Sequence, residues 1–349
     1  MKRQMWIDTD TASDDAVALI IALRHPDIEV RGISVVAGNV PLEMGVQNAL
    51  YTAELCASTV PIYVGAAQPL VRTLDTAQFV HGVDGMGDIG LPLFGRVPTP
   101  GDAIDEIISA AHRHAHGLEL VTLGPLTNIA LALRKDPTIA SLIKRCVVMG
   151  AVADHIGNVT QVAEFNMWVD PESVDIVLQS GMKLEFVGWD ISRTEAVITP
   201  KEADAIRALG TDRAQFAVDI QRVLERFCAE ETHLAGFDLP DPIAIAYAIR
   251  CVITRVFPVP APAITQTGPR VASATARCSL SSASKISSAR GFPTVSTIHH
   301  RAIGHVCIHQ HVCTNFESFD AQLTLLVATR FHYLPQPFSF HRVKTSVLQ

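Results

Sequence analysis

The N-terminal sequence reads Met5-Trp6-Ile7-Asp8-Thr9-Asp10-Thr11-Ala12-Ser13-Asp14-Asp15-Ala16. It begins with a short apolar run and continues with four carboxylates within eight residues. Apolar residues at helical spacing follow directly, among them Val17, Ile20 and Ile21. This pattern predicts a strand, a turn and the start of a helix, with the carboxylates gathered where the strand meets the helix.

The four carboxylates need a positive partner. Negative charges crowded at one helix N-terminus repel one another by roughly 1 kcal/mol or more per close pair. The helix dipole offsets only about half a charge, so a hard divalent cation with oxygen ligands is the better neutraliser. The alternative is that Ser13 or Asp14 caps the helix while the other carboxylates face water, although an ordinary cap needs only one carboxylate.

Strand-like and helix-like segments alternate along the rest of the chain. The predicted strands are residues 29–36, 61–64, 118–123, 145–149 and 184–187. The predicted helices are residues 42–56, 103–114, 127–134, 171–179, 213–227 and 241–250. Such alternation predicts an α/β fold with a mostly parallel central sheet and helices on both faces. Ligands of these sheets bind at the carboxyl ends of the strands, where we expect the four carboxylates, Asn39 and Gly124-Pro125.

Composition sets the outer limits on function. The chain has 349 residues, and its 48% hydrophobic content is ample for a sizeable core. The net charge of −7 disfavours nucleic acid or an acidic membrane surface as a partner, because both require a basic face. There is no room for a signal peptide before the first strand, no apolar run reaches the length of a membrane span, and the seven scattered cysteines favour reduced thiols. We therefore expect a soluble, cytoplasmic protein.

Asp8-Thr9-Asp10 followed by Asp14-Asp15-Ala16 resembles the N-terminal signature of the inosine-uridine preferring nucleoside hydrolases. These are calcium enzymes that cut the N-glycosidic bond of ribonucleosides. The usual signature has Pro-Gly where this chain has Thr11-Ala12, and the resemblance continues in five more stretches out to about Ile249. It implies a Rossmann-like nucleoside hydrolase domain over residues 1–255, hydrolysis of ribonucleosides to base and ribose in purine or pyrimidine salvage, and a homo-oligomer, either a dimer or a tetramer.

Two further motifs complete the calcium site that the resemblance implies. The turn Leu123-Gly124-Pro125-Leu126-Thr127-Asn128 is similar to a family turn in which the carbonyl of the residue before the glycine binds calcium. The stretch Asp238-Leu239-Pro240-Asp241-Pro242 is similar to a family Asp-Pro that closes the metal shell. The implied ligands are Asp10, Asp15, Asp241 and the Leu123 carbonyl. Asp10, which would touch both metal and water, is the implied general base.

The stretch Gly157-Asn158-Val159-Thr160-Gln161-Val162-Ala163-Glu164-Phe165-Asn166 interleaves polar and apolar residues. This pattern is typical of a loop folded over a polyhydroxylated ligand, because each hydroxyl requires both a donor and an acceptor. In the family this stretch holds the sugar. The resemblance assigns Asn158 and Glu164 to the 5′-hydroxyl, and Asn166, with Asp14 and Asn39, to the 2′ and 3′ side. Phe165 belongs to the same substrate-binding set.

This chain differs from the family in the residue that would protonate the leaving base. The best-known members have a histidine directly before the Asp of the Asp-Pro motif, whereas this chain has Pro240, which cannot donate a proton. His81 lies in the Gly-rich loop 79–87, which is similar to a family loop at the rim of the pocket. We therefore name His81 as the second catalytic candidate, with an ordinary surface histidine as the alternative. His233 is the other histidine near in sequence.

Two other functions fit parts of the sequence. Asp8-Thr9-Asp10 also resembles the Asp-x-Asp motif of haloacid dehalogenase-type phosphatases, with Asp8 as nucleophile, but Ala12 stands where that family has Thr or Val. A catalytically impaired or non-catalytic nucleoside-binding homologue is the second alternative, because residues 256–349 lack the family's closing hairpin and acidic helix. We expect this atypical C-terminal segment to be divergent, the product of a misread exon or frame, or poorly ordered.

Overall fold

A computed structural model of the chain describes residues 2–153 and 156–249, and the backbone of Phe257–Pro258. Apart from that short strand, the C-terminal segment 256–349 lies outside the described residues, and so does the domain boundary expected near residue 255. The strands are β1 Arg3–Thr9, β2 Ile28–Val35, β3 Ile62–Val64, β4 Leu118–Thr122, β5 Arg145–Met149, β6 Leu184–Val187, β7 Val197–Ile198, β8 Phe237–Asp238 and β9 Phe257–Pro258.

Among the described strands, seven form one sheet in the order β3-β2-β1-β4-β5-β6-β9. The neighbouring pairs from β3 to β6 are parallel, and β9 pairs antiparallel with β6 at the edge. β7 and β8 form a separate antiparallel pair. The predicted mostly parallel sheet is confirmed. The strand order reverses between β1 and β4, and ligands of such sheets bind at the carboxyl ends of the strands at this switch point.

Helices connect these strands and cover the sheet. They are α1 Ser13–Arg24, α2 Leu42–Leu55, α3 Gln78–His81, α4 Ala103–Arg113, α5 Thr127–Lys135, α6 Ile139–Leu142, α7 Phe165–Val169, α8 Pro171–Gln179, α9 Trp189–Glu195, α10 Pro200–Arg207, α11 Asp212–Asp219, α12 Arg222–Phe227 and α13 Pro240–Ile249. A π-helix, Cys228–Thr232, follows α12 directly. Within the described ranges, no helix combines the length and apolarity that crossing a bilayer requires.

Side chains that alternate along β1 enter two different cores. Met5 and Ile7 pack with residues of α1, α2 and α13, whereas Trp6 packs with residues of α4, α5 and α8. Every residue of α1 from Ser13 to Ala22 is buried. The predicted placement of helices on both faces is confirmed, and the helix that begins with the acidic residues runs through the interior.

Two predicted segments differ from the structure. Residues 213–227, predicted as one helix, form α11 and α12, which are separated at Ile220 and Gln221. The buried amide of Gln221 turns inward there, where its Nε2 donates to the carbonyl of Ser13 at 2.8 Å. The predicted loop 158–166 ends in a helix, because Phe165 and Asn166 are the first residues of α7. No proline or glycine marks either boundary in the sequence.

The amino ends of the strands carry a buried network of ion pairs. Glu119 at β4 accepts hydrogen bonds from Arg3, Lys144 and Arg145. Burial alone raises the pKa of Glu119, but these bonds prevail and lower it to about 2. Arg3 and Arg145 also donate to the Ala248 carbonyl at 2.6 and 2.7 Å. Two guanidinium groups therefore cap the C-terminal end of α13 and fix the position of that helix against the sheet.

Candidate active site

Three elements bring the acidic residues together. Asp8 is the second-last residue of strand β1, and Asp10 directly follows that strand. Asp14 and Asp15 lie in the first turn of α1. Asp241 lies in the first turn of α13, which packs beside α1. All five side chains are buried. The carboxyl end of the central strand and two helix N-termini therefore meet at one point.

Asp14, Asp15 and Asp241 form what we call the carboxylate cluster. Their carboxylate oxygens lie within 4.8 Å of one another. Burial raises the pKa of Asp14 to about 7, and burial with the charge of Asp14 raises the pKa of Asp15 to about 6. Burial and the neighbouring carboxylates also raise the pKa of Asp241. No lysine or arginine forms an ion pair with the cluster within the described part of the chain, so its oxygens can hold a metal ion.

Asp15 is fixed by its own turn. Its Oδ2 accepts hydrogen bonds from the Ala12 N–H at 2.9 Å and from Asn39 Nδ2 at 3.4 Å. Its Oδ1 accepts from the Thr9 hydroxyl at 2.6 Å. Ala12 occupies the N-cap position of α1, and none of the four carboxylates of this stretch faces water. The alternative of a plain helix cap with solvent-facing carboxylates is therefore wrong.

Asp10 lies next to the carboxylate cluster, close enough for its charge to raise the pKa of Asp241. Its Oδ2 accepts a hydrogen bond from the Asn39 N–H at 2.6 Å, whereas its buried Oδ1 has no hydrogen-bond partner among the described residues. Gly38 and Gly124 both pack directly against this carboxylate. Burial is the largest cause of its own raised pKa. One oxygen of Asp10 is thus fixed, and the other is available to a ligand or a proton.

Asn166 and Leu123 meet directly at the carboxyl end of β4. The Asn166 Nδ2 donates to the Leu123 carbonyl at 2.7 Å, and the Leu123 N–H donates to the carbonyl of Asp8 at 2.8 Å. Two residues that the sequence assigned to metal and sugar are therefore in contact. A carbonyl oxygen has two lone pairs, so the Leu123 carbonyl retains one acceptor site.

Glu164 is the N-cap of α7. Its Oε1 accepts from the Asn166 N–H at 2.9 Å, and its Oε2 accepts from the Ala151 N–H at 3.0 Å. Burial raises the pKa of Glu164 to about 7, against the lowering effect of these bonds. Asn158 is exposed, and its Oδ1 accepts from the N–H of half-buried Phe165 at 2.8 Å. Glu164 and Asn158 therefore organise the loop itself, a role that the sequence pattern did not indicate.

His81 ends α3, and its ring is buried against the start of α1. Its Nδ1 lies 2.9 Å from Ser13 Oγ and 3.6 Å from Asp14 Oδ1. Burial lowers the pKa of His81 to about 4, although the charges of Asp15 and Asp238 oppose this shift. The alternative of an ordinary surface histidine is therefore wrong. The structure places His81 at the edge of the carboxylate cluster.

His233 lies in a different environment. It is exposed, it follows the π-helix with a φ of 54°, and its Nδ1 lies 3.3 Å from the carbonyl of Ala229. Pro240 is buried and stands at the start of α13, directly before Asp241. Of these two histidines, His81 is the one that the structure brings to the cluster.

Two more buried carboxylates, Asp8 and Asp238, lie near the site. The sequence patterns had indicated no role for either of them in nucleoside hydrolysis. Asp8 accepts hydrogen bonds from the Ser34 hydroxyl and from Asn128 Nδ2, and burial raises its pKa to about 7. Asp238 lies 3.6 Å from Arg193, and its charge raises the pKa of Asp14. Asp8 belongs to the N-terminal acidic motif, and Asp238 begins the Asp238–Pro242 motif. Their hydrogen-bond and ion-pair partners are distant in sequence, so the motifs alone could not indicate these contacts.

Comparison with known proteins decides the family. A sequence profile described as inosine-uridine preferring nucleoside hydrolase matches residues 5–318 of this chain. The chain belongs to this family. The inosine-uridine preferring nucleoside hydrolase of Crithidia fasciculata is 35% identical over 252 residues, which cover 71% of this chain and 79% of the relative. The pyrimidine-specific ribonucleoside hydrolase RihA of Salmonella enteritidis is 35% identical over 246 residues, which cover 70% of this chain and 78% of the relative.

Solved structures agree with this nucleoside hydrolase assignment. A purine-preferring ribonucleoside hydrolase from Gardnerella vaginalis is similar with a TM-score of 0.67 and 33% identity, covering 71% of this chain and 80% of that one. A plant nucleoside hydrolase, PpNRh1, gives the same TM-score with 29% identity, covering 72% and 79%. The chain is a nucleoside hydrolase, an enzyme that hydrolyses the N-glycosidic bond of ribonucleosides to base and ribose. The phosphatase and non-catalytic alternatives are not favoured.

Proposed function

We propose that this nucleoside hydrolase depends on Ca²⁺, held by the carboxylates of Asp10, Asp15 and Asp241 and by the Leu123 carbonyl. The carboxylate cluster carries this proposal, because its buried oxygens lie within 4.8 Å of one another. Asp10 Oδ1 and Asp14 Oδ1 are also buried without a hydrogen-bond partner in the described residues, as expected of atoms that face a cation. All of these donors are oxygens, which suits calcium and not zinc, whose sites favour nitrogen and sulfur.

The chemistry follows from the charges at the site. Cleavage of a ribosyl C–N bond passes through a cationic, oxocarbenium-like sugar. Buried carboxylates around the sugar stabilise that developing positive charge. When bound, calcium would lower the pKa of a water molecule and hold the 2′- and 3′-hydroxyls. Asp10 takes the proton of the attacking water, while the Asn39 N–H holds its carboxylate in place through Oδ2.

Residues around the cluster would hold the ribose. Support for Asn166 comes from its contact with the Leu123 carbonyl, and support for Asn39 from its hydrogen bonds to Asp10 and Asp15. Our proposed substrate-binding residues are Asp14, Asn39 and Asn166 for the 2′ and 3′ side, Asn158 and Glu164 for the 5′-hydroxyl, and Phe165.

His81 is the group that we propose to activate the departing base, as a hydrogen-bond donor on the base side of the pocket. Its support is its burial beside Asp14, together with the absence of a histidine at position 240. A neutral imidazole can donate a hydrogen bond through its one N–H, and such a bond stabilises the negative charge that develops on a departing base nitrogen.

We further propose that the enzyme acts in the cytoplasm, in purine or pyrimidine salvage, as a homodimer or homotetramer without a nucleic-acid or membrane partner. The resemblance to the family supports the oligomer and the pathway. The buried thiols of Cys146 and Cys228 and the net charge of −7 support the rest.

The test is to incubate the purified protein with inosine, guanosine, uridine, cytidine and nicotinamide riboside, and to assay free ribose. Each reaction is run with calcium, with a chelator, and with chelator followed by calcium, magnesium or zinc. We expect ribose release that the chelator abolishes and calcium restores. Undiminished activity in chelator would exclude the metal, and restoration by magnesium or zinc alone would exclude calcium. The relatives carry names for purine, pyrimidine and mixed preference, so the panel also measures the base preference.

A further inference from the structure

Ser13 and His81 are 68 positions apart in sequence and meet inside the protein. Ser13 lies in the first turn of α1 and is fully buried, and His81 at the end of α3 is 7% exposed. The 2.9 Å between Ser13 Oγ and His81 Nδ1 is a normal hydrogen-bond length. Because both groups are buried, water does not compete with this bond.

Ser13 is itself held on its other side. The Gln221 Nε2 donates to the Ser13 carbonyl at 2.8 Å, and Gln221 is fully buried. The hydroxyl of Ser13 is thus presented from a backbone that is tied both to α1 and to the junction between α11 and α12. A contact built on three separate segments holds the imidazole ring in one orientation more firmly than a surface contact would.

The direction of this hydrogen bond decides which ring nitrogen carries the proton. A neutral imidazole has one N–H, on Nδ1 or on Nε2. Asp14 Oδ1 lies 3.6 Å from Nδ1, which is too far for a good hydrogen bond, so the Ser13 hydroxyl is the near partner of that nitrogen. If the hydroxyl donates to Nδ1, the proton stands on Nε2. No described residue forms a hydrogen bond with Nε2, so this atom is free for a ligand.

We propose that Ser13 is a positioning residue for catalysis: its hydroxyl donates to His81 Nδ1 and keeps the N–H on Nε2, directed to the departing base. This inference rests on the proposed role of His81 at the departing base. The C–N bond breaks with its electron pair on the base nitrogen, and the Nε2–H donates a hydrogen bond that stabilises the negative charge there without ionising the ring. The base anion then takes a proton from solvent, and Asp10 releases to solvent the proton that it took from the attacking water, so the reaction balances.

The tautomer can be measured without turnover. The ¹⁵N chemical shifts of the His81 ring, recorded by long-range ¹H–¹⁵N correlation in the calcium-loaded enzyme, distinguish the two tautomers. We expect an Nε2–H ring in the wild type, and a mixture of tautomers in Ser13→Ala. An Nδ1–H ring in the wild type would overturn the proposal, whether or not the variant folds.

Kinetics separate positioning from a merely structural role. We compare inosine, whose base requires protonation, with p-nitrophenyl riboside, whose leaving group does not. Ser13→Ala should lower kcat for inosine by about tenfold, the scale of one well-placed hydrogen bond, and leave the activated riboside nearly unchanged. Ser13→Thr keeps the hydroxyl and should recover most of the inosine rate. Ser192→Ala, which removes a fully buried hydroxyl with no hydrogen-bond partner among the described residues, is the matched control and should behave as wild type.

Two outcomes would overturn the proposal, and they are distinguishable from failure of the proposed function. Equal losses on both substrates in Ser13→Ala would show a structural role only. The double variant Ser13→Ala/His81→Ala should be no worse than His81→Ala alone, because both residues act on the same hydrogen bond to the departing base, and additive losses would contradict this. If His81→Ala leaves the ratio of kcat for inosine to kcat for p-nitrophenyl riboside unchanged, the proposed role of His81 is wrong. If His81→Ala changes the ratio and Ser13→Ala does not, only the role of Ser13 fails.

Discussion

The carboxylate of Asp10 lies directly against the main chain of Gly124: a β-carbon at Gly124 would be 2.7 Å from Asp10 Oδ1 and 2.8 Å from Cγ. Both distances are shorter than any that real β-carbons adopt, so either side chain or backbone would have to move. Gly124 therefore keeps open the space into which the free oxygen of Asp10 projects.

We predict that Gly124→Ala lowers kcat by at least about tenfold, since displacements near 1 Å in an active site can cost about a hundredfold. The free energy of unfolding should fall by about 1–3 kcal/mol from overpacking. Steady-state kinetics and denaturant unfolding measure the two effects. Gly117→Ala is the control, because its β-carbon would lie 3.4 Å from the His114 carbonyl and should leave kcat unchanged. A Gly124→Ala enzyme with normal kcat would refute the packing argument.

Replacing Asp15 by Ala should abolish calcium binding and activity together. Asp15 belongs to the carboxylate cluster, and its removal leaves the site with one carboxylate ligand fewer. Isothermal titration calorimetry measures the affinity, and Asp212→Ala, which removes an exposed carboxylate at the start of α11, is the control. Calcium affinity equal to wild type in Asp15→Ala would remove Asp15 from the metal site.

Asp10→Asn should separate chemistry from binding. An amide keeps the shape of the side chain and can still accept the Asn39 N–H, but it cannot take a proton from water. We expect kcat to fall by at least about a hundredfold, the usual scale for loss of a general base, with KM changed far less. Single-turnover kinetics and binding of a ribose analogue provide the measurements. Turnover near the wild-type value would exclude Asp10 as the base.

Calcium affinity should rise with pH. Burial raises the pKa of Asp15 to about 6 and that of Asp14 to about 7, so protons compete with the cation below neutrality. In the metal-free folded protein these groups hold protons that the unfolded chain releases near pH 4, and their contribution to stability is therefore lost as pH rises from about 4 to 7. Bound calcium favours the ionised forms and offsets that loss.

The rise in Tm that calcium produces should therefore be larger at pH 8 than at pH 6. Histidines that titrate in this range act equally on the metal-free and metal-bound proteins and cancel in the difference. Thermal unfolding at both pH values, with and without saturating calcium, measures the calcium-induced rise in Tm at each pH. A calcium-induced rise that is equal or smaller at pH 8 would show that the cluster carboxylates do not bind the ion.

Pro240→His should restore part of the family's leaving-group chemistry. Each missing proton transfer costs on the order of a hundredfold, so the wild type should cleave p-nitrophenyl riboside far better than inosine. The variant should narrow that gap, provided that α13 still begins at the same residue. The ratio of kcat/KM for the two substrates is the measurement. Equal rates on both substrates in wild type, together with an inert His81→Ala, would mean that another residue supplies the proton.

Sequence patterns predicted the regular elements well where apolar runs are bounded by strong signals. The strands Arg145–Met149 and Leu184–Val187 and the helix Pro171–Gln179 have the predicted bounds, and Asp170 with Pro171 marks the helix start. The break between α11 and α12 was missed, because it depends on the side chain of Gln221 turning toward Ser13. Such a tertiary contact leaves no trace in local periodicity.

For the site, as for the fold, the sequence predicted what a general rule determines and missed what depends on tertiary packing. The rule that ligands bind at the carboxyl ends of parallel strands predicted the region of Asp10, Asn39 and Gly124. It could not predict that Asp14 joins Asp15 and Asp241 in one cluster, because this depends on how α1 packs beside α13. The capping role of Glu164 was missed although its bonds to Asn166 and Met167 are local, because glutamate is not among the preferred N-cap residues. The functional roles of these residues remain predictions that the variants above test.

The clamp of Arg3 and Arg145 on the last turn of α13 has a consequence for biosynthesis. Arg3 and its acceptor, the Ile249 carbonyl, are 246 residues apart in sequence. At about 5–20 residues per second, the ribosome needs roughly ten seconds or more to deliver the second after the first. During that interval the nascent chain carries Asp8, Asp10, Asp14 and Asp15 without Asp241 and without the clamp. The carboxylate cluster and the clamp are therefore completed in the same late step, and a calcium ion bound at the proposed site would stabilise a finished domain instead of guiding its early folding.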